Sequence, residues 1–282
     1  MTPYNALAHL AMTCWPVKNW KRLLMGMFTA CFDASGQETQ HPYVVVAGFI
    51  SSAEEWIQFS KAWNKKLEEY GLEYFRASDC QNSRGKFAAW QGNDTKRLQL
   101  WCDLLDIIKA SLFQKFACGM DIPEWTSNIS RANKLKWKLN AYAMCSVMCA
   151  ERVARWARAQ GISTPIEYIF ESGDIGSGLL KEAFESDGLP APGFKHKTDR
   201  TIKGIFYPAF IPLQAADFLA YEIFLTKKIV EKKKRPALGR PFWQFQAMPE
   251  HPIIFKGDRL ASMEHNFIKP VKVKGVWRPF HV

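Results

Sequence analysis

The stretch Phe28–Ile50, FTACFDASGQETQHPYVVVAGFI, decides how the rest of the chain is read. A short apolar run ends in Asp33, a polar turn passes through Ser35 and Gly36, and a wholly apolar run, Tyr43–Ile50, follows. Two adjacent runs of this kind read as neighbouring strands. Their continuous apolar character places them centrally in a sheet covered on both faces. The carboxylate at the end of the first strand is then either a turn residue or a group held there for chemistry.

Downstream, the pattern alternates between helix and strand. Ser52 and Glu55 form a capping box ahead of Trp56, Phe59, Trp63, Leu67 and Tyr70, which share one helical face, and Gly71 ends that helix. Tyr74–Ala77 reads as a short strand running into RASD. A second helix is expected to bury Leu98, Trp101, Leu105 and Ile108, and Phe113–Met120 is a further strand followed by Asp121. A long helix is expected over Ala132–Ala159, then a strand Ile166–Phe170 that ends at Glu171, and a helix near Leu179–Glu185. Pro212 is placed to open the last core helix at its first turn. This order predicts an α/β fold, a mixed sheet with helices on both faces. Residues 1–26 read as an extension dispensable to the fold, 27–231 as the domain, and 232–282 as a basic appendage.

Composition narrows the function classes. A hydrophobic fraction of 48% supports a large core rather than disorder. The net charge of +11 favours a polyanionic partner such as nucleic acid. The seven cysteines include no CxxC pair, and Cys145 and Cys149 have no nearby histidine, so they read as buried thiols rather than zinc ligands. The longest strongly apolar run falls far short of the ~20 residues needed to span a bilayer. In the first 24 residues the basic side chains follow the apolar ones, the reverse of a secretory signal, so a cytoplasmic protein is expected.

Asp33, Asp79, Asp121 and Glu171 each follow an expected strand, where strand ends of open α/β sheets converge on ligand crevices. Turns also favour Asp, so no one of them is decisive. Asp217 is more telling. In PLQAADFLAYEIF its helical neighbours Leu213, Ala220, Tyr221 and Phe224 are apolar. A carboxylate buried there needs a strong donor, a base or a cation. One outcome is an Asp satisfied by Arg or backbone N–H; the other is a metal ligand. Converging carboxylates suit phosphodiester hydrolysis, in which two hard divalent cations about 3.5–4 Å apart activate water and stabilise the leaving oxygen.

The segments FDASG with YVVVAGFI, IFESGD, and PLQAADFLAYE resemble the family termed domain of unknown function 3800, placed among ribonuclease H-like folds. The likeness spans Phe28 to Phe224, with LQAADFLAYE its most specific part. It implies a ribonuclease H-like mixed sheet flanked by helices on both faces. It further implies a catalytic and metal-binding trio of Asp33, Glu171 and Asp217, with Asp174 replacing or supplementing Glu171, and two Mg²⁺ or Mn²⁺ ions. Ser35, Arg76, Asp79 and Gln214 fall at the periphery. The chain departs from the family pattern at Ala34, where Glu is usual, and at Arg76, where His is often found.

Lys195, Lys197, Arg200 and Lys203 lie before PLQAAD and are expected to form a phosphate-contacting rim with His196. Lys227, Lys228 and Lys232–Arg235 form a second basic cluster, with Trp243 and Phe245 beyond it as stacking or packing aromatics. The leading expectation is a metal-dependent nuclease acting on DNA or RNA. The alternatives are a catalytically degenerate nucleic-acid-binding or regulatory module, and a strand-transfer enzyme of the transposase or integrase kind. The last lacks a zinc finger or helix-turn-helix for end recognition.

Overall fold

The structure is a computed structural model, and it describes residues 27–36, 41–133, 140–173, 176–231, 253–255, 271–273 and 276–278. Strands β1 (Phe28–Ser35) and β2 (Tyr43–Ser52) pair antiparallel, with Asp33 opposite Ala47. β2 pairs antiparallel with β3 (Gln114–Asp121). On its other edge β1 runs parallel to β4 (Ile166–Glu171), which is parallel to the short β5 (Gly193–Lys195). β6 (Arg200–Ile202) and β7 (Ile205–Tyr207) form a separate hairpin, β8 (Ile253–Phe255) lies parallel to β3, and β9 (Val271–Val273) and β10 (Val276–Arg278) form a further antiparallel pair. The main sheet therefore has six strands in the order β5-β4-β1-β2-β3-β8. It is mixed, and its edge strand β8 comes from the 232–282 segment.

Helices cover both faces. On one side lie α1 (Ala53–Glu69), the short α2 (Ala77–Gln81) and α3 (Asp94–Ser111). The short α4 (Ile122–Asn128), α5 (Ala141–Ala159) and α6 (Ser177–Ser186) lie on the other, and α7 (Pro212–Glu231) returns to the first. Alternation along β1 divides the two cores: Cys31 faces α1 and α7, whereas Ala30 and Phe32 face α5. No helix among the described residues is long and apolar enough to cross a membrane.

Local chemistry sets the element ends. The Ser52 hydroxyl accepts the Glu55 N–H and starts α1, as its capping box predicts. Pro212 is the first residue of α7. Gly36, with φ +83°, turns the chain where a Cβ would stand 2.1 Å from the Tyr43 carbonyl oxygen and 2.9 Å from the Phe224 ring.

Three expectations are corrected. Tyr74–Ala77 is not a strand: Arg76 has extended dihedrals, but the N–H groups of Phe75 and Ala77 donate to the side chains of Gln214 and Asp217 instead of to a sheet. Leu98 is 46% exposed, and the buried stripe of α3 is Leu100, Trp101, Leu104, Leu105 and Ile108. The long helix begins at Ala141 rather than Ala132, because extended Asn140 caps it by accepting the Ala143 N–H. Of the strand-end acids left open between turn and site, Asp121 takes the turn role, accepting the Glu124 N–H at the start of α4.

Candidate metal centre and its lysine

The β1–β4 register pairs Phe32 with Phe170, which sets Asp33 and Glu171 side by side at the carboxyl ends of two parallel strands. Both point to the α7 face, since they alternate with Phe32 and Phe170 of the opposite core. Asp217 meets them from α7. All three are buried: Asp33 is 2% exposed, and Glu171 and Asp217 are each 8% exposed.

Each carboxylate uses one oxygen to fix its own orientation. Asp33 Oδ1 accepts the Ala34 N–H at 2.7 Å, Asp217 Oδ2 the Ala77 N–H at 2.7 Å, and Glu171 Oε2 the Lys197 N–H at 2.8 Å. The second oxygens face inward. Asp217 Oδ1 lies 2.8 Å from Lys197 Nζ, and Asp33 Oδ2 is hydrogen-bonded to the same ammonium. Glu171 Oε1 is 3.9 Å from His196 Nδ1.

Lys197 is thus not a rim residue. Its side chain is 13% exposed and its ammonium sits among the acids. Burial disfavours that charge, but Asp217, Asp33 and Glu171 together outweigh it and hold the lysine protonated above its ordinary range. His196 is pushed the other way by burial and by the Arg200 charge, so its imidazole is neutral at pH 7 and its approach to Glu171 is not an ion pair there.

Gln214 organises the surroundings. Its Oε1 accepts the Trp63 indole N–H at 2.9 Å and the Phe75 N–H at 2.8 Å, while its Nε2 donates to the Lys197 carbonyl at 2.9 Å. It is wholly buried, so it is a keystone beneath the acids rather than a peripheral contact. One turn of α7 therefore does two jobs. Gln214 and Asp217, three residues apart on the same face, both receive N–H groups from the chain entering α2, those of Phe75 and Ala77.

The other expected site residues lie further out. Ser35 is half-buried at the end of β1, and Arg76 is exposed. Asp79 sits on α2 facing Gly85. Lys195 is half-buried in β5, while Arg200 and Lys203 are exposed on the hairpin. Lys227 lies over the Tyr43 ring at 4.9 Å. Asp174, Lys232–Arg235, Trp243 and Phe245 fall outside the described residues. Ala34 packs against the α5-side core, so a longer acid there would point away from Asp33 and would not join the trio.

Among the described residues, no three His, Cys, Asp or Glu side chains are grouped so as to hold a metal ion by themselves. The ammonium of Lys197 stands in for a cation, and carboxylate oxygens from β1 and α7 already meet on it. That all-oxygen donor set suits Mg²⁺ or Mn²⁺ rather than a softer metal. Lys197 was not recognisable as central from the sequence, where it is one basic residue among several in FKHKTDR.

Comparison of the chain with protein-family models, curated proteins and solved structures returned no match.

Proposed function

We propose that the chain is a metal-dependent phosphodiester hydrolase on a ribonuclease H-like fold, allied to the domain of unknown function 3800 proteins, with nucleic acid as its substrate. The observation that supports this most is the meeting of Asp33 and Asp217, from elements distant in sequence, on a single cation beside Glu171. A mixed sheet with helices on both faces and the basic balance of the chain support the same reading.

Asp33, Glu171 and Asp217 would hold the ions, with Asp174 as a further candidate. Bound Mg²⁺ or Mn²⁺ supplies Lewis-acid stabilisation of phosphate oxygens and a water of lowered pKa. The chain itself supplies orientation and charge. Backbone N–H groups of Ala34, Ala77 and Lys197 fix the carboxylates, so little reorganisation is needed when a cation arrives. Lys197 offsets the mutual repulsion of Asp33 and Asp217 while no divalent ion is present. With the acids holding a divalent ion, Lys197 would be placed to meet a phosphate oxygen as a point charge.

The test is cleavage of DNA and RNA by purified protein with Mg²⁺ or Mn²⁺, with Asp33→Asn as control. The expected loss in Asp33→Asn is more than roughly 100-fold, beyond what outer-shell partners of a metal usually contribute. Equal cleavage by the variant would identify a contaminant and remove the proposal.

The Lys197 ion pairs also favour a second reading, a binding or regulatory module whose acids are permanently satisfied by lysine. Salt-sensitive nucleic-acid binding, with neither cleavage nor a metal-induced rise in Tm, would select it.

A further inference from the structure

Exposed large apolar side chains are concentrated in one place among the described residues. Ile202, Ile205, Phe206 and Tyr207 are 43%, 58%, 59% and 41% exposed, and all lie on the β6–β7 hairpin. The register pairs Arg200 with Tyr207, Thr201 with Phe206, and Ile202 with Ile205. One face of the ribbon therefore carries Arg200, Ile202, Ile205 and Tyr207, and the other carries Phe206. Lys203 and Gly204 close the tip, both with positive φ, 50° and 78°. This matches the two-residue turn whose twist suits a hairpin, but a lysine is an unfavourable residue to place there.

The ribbon is rooted in the acidic centre. The Phe210 N–H donates to the His196 carbonyl, and the Ala209 N–H donates to Asp199, closing its base. Lys197, inside that base, carries the ammonium between Asp33 and Asp217. Besides Lys197, which Asp33 and Asp217 already pair, the chain from Gly193 to Ile211 has Lys195, Arg200 and Lys203 against a single acid, Asp199. Cations beside exposed rings and aliphatic groups form a surface complementary to a strand that offers phosphates and unstacked bases together. A base-paired duplex hides its base faces and offers chiefly phosphates.

We propose that the Arg200–Tyr207 hairpin is a binding arm for an unpaired nucleic-acid strand that wraps the ribbon, with Phe206 on one face and Tyr207 on the other each stacking on a base and Arg200 and Lys203 contacting phosphates. It delivers the strand toward Lys197 and the carboxylates. What happens to the strand there rests on the hydrolase reading above; its capture by the arm does not.

The experiment measures fluorescence anisotropy of labelled oligothymidylate with the full chain in EDTA, where divalent-dependent cleavage is silent. A duplex of equal length is measured in parallel. Tighter binding of the unpaired strand is expected. Phe206→Ala and Tyr207→Ala should each weaken it by about 5- to 150-fold, the range for loss of one base–aromatic stack. Arg200→Ala with Lys203→Ala should lower the salt slope by about 1.4, at ~0.7 per contact on a single strand. All four positions are exposed, and unchanged circular dichroism and Tm will show that the variants fold. Parent-like affinity in both aromatic variants overturns the proposal, as does equal preference for the duplex. So does a change confined to self-association in sedimentation, which would make the arm an interface between copies. Cleavage assays with metal are scored separately, so an inactive protein that still loses strand binding in Phe206→Ala sinks the hydrolase reading and keeps the arm.

Discussion

The two faces of the central sheet solve different problems with the same backbone. On the α5 side, Ala30, Phe32, Val44 and Val46 meet Met144, Cys145, Val147 and Cys149 in an apolar layer. On the α7 side, Trp56, Phe59, Trp63, Phe75 and Phe218 enclose a polar seam running from Trp63 through Gln214 to Lys197 and the acids. The first face is held by volume, and its residues are exchangeable within limits of size. The second is held by directed bonds in a dry setting, where each partner lost leaves another stranded. The aromatic wall on that side both excludes water and supplies one of the donors, the Trp63 indole.

The contrast is testable by stability measurements, and the largest effect should come from the polar seam. Gln214→Leu keeps the volume but removes partners from Trp63 Nε1, the Phe75 N–H and the Lys197 carbonyl, so a loss on the order of 3–6 kcal/mol is expected in urea unfolding. A loss under 1 kcal/mol would show that the seam is not a network. Lys197→Met should cost about 3–5 kcal/mol in EDTA, because Asp33 and Asp217 are left buried and facing each other. Added Mg²⁺ should recover more stability in this variant than in the parent. Equal Mg²⁺ responses would separate the lysine from any cation site.

On the apolar face, Met144→Ala should cost about 2–5 kcal/mol through cavity formation and leave strand binding unchanged. The smallest effect is one of pH. Burial raises the Cys80 thiol from 9.0 to about 11, and raises Cys31 and Cys118 as well. Between those values the unfolded chain has released protons that the folded chain retains, so stability should fall as pH rises above about 9. Cys80→Ala should remove on the order of 1–2 kcal/mol of that alkaline slope, measured as Tm between pH 8 and pH 11.

Much of the apolar architecture was legible because burial writes itself into periodicity. The β1–β2 pair, the α1 stripe with its Ser52 cap, and the opening of α7 at Pro212 all follow from local rules. The strand-end pattern offered Asp33 and Glu171 as two of four acids, the family resemblance singled them out, and Asp217 stood out by its incongruous apolar neighbours. What stayed hidden depends on partners chosen across the fold. The Tyr74–Ala77 stretch is strand-like in composition and Arg76 is extended, yet the N–H groups of Phe75 and Ala77 are taken by Gln214 and Asp217. Nothing local marks Lys197 from Lys195, because the distinction is made by a turn after β5 that brings only the former over the acids. Leu98 misled for a plain reason: α3 rotates its buried face toward Leu100 and Leu104, a shift that one apolar residue on the rim cannot reveal.

Gly36 carries a consequence of its own. It lies three residues beyond Asp33 and is pressed against Tyr43 and the Phe224 ring, seven residues beyond Asp217. Any side chain there would lever the end of β1 away from α7 and so spread two acids that it never touches. In a survey of tolerated substitutions, position 36 should therefore behave like a site residue, intolerant even of alanine, while Ala34 and Ser35 beside it accept change. The spacing of Asp33 and Asp217 about Lys197 is thus set partly by a residue with no side chain.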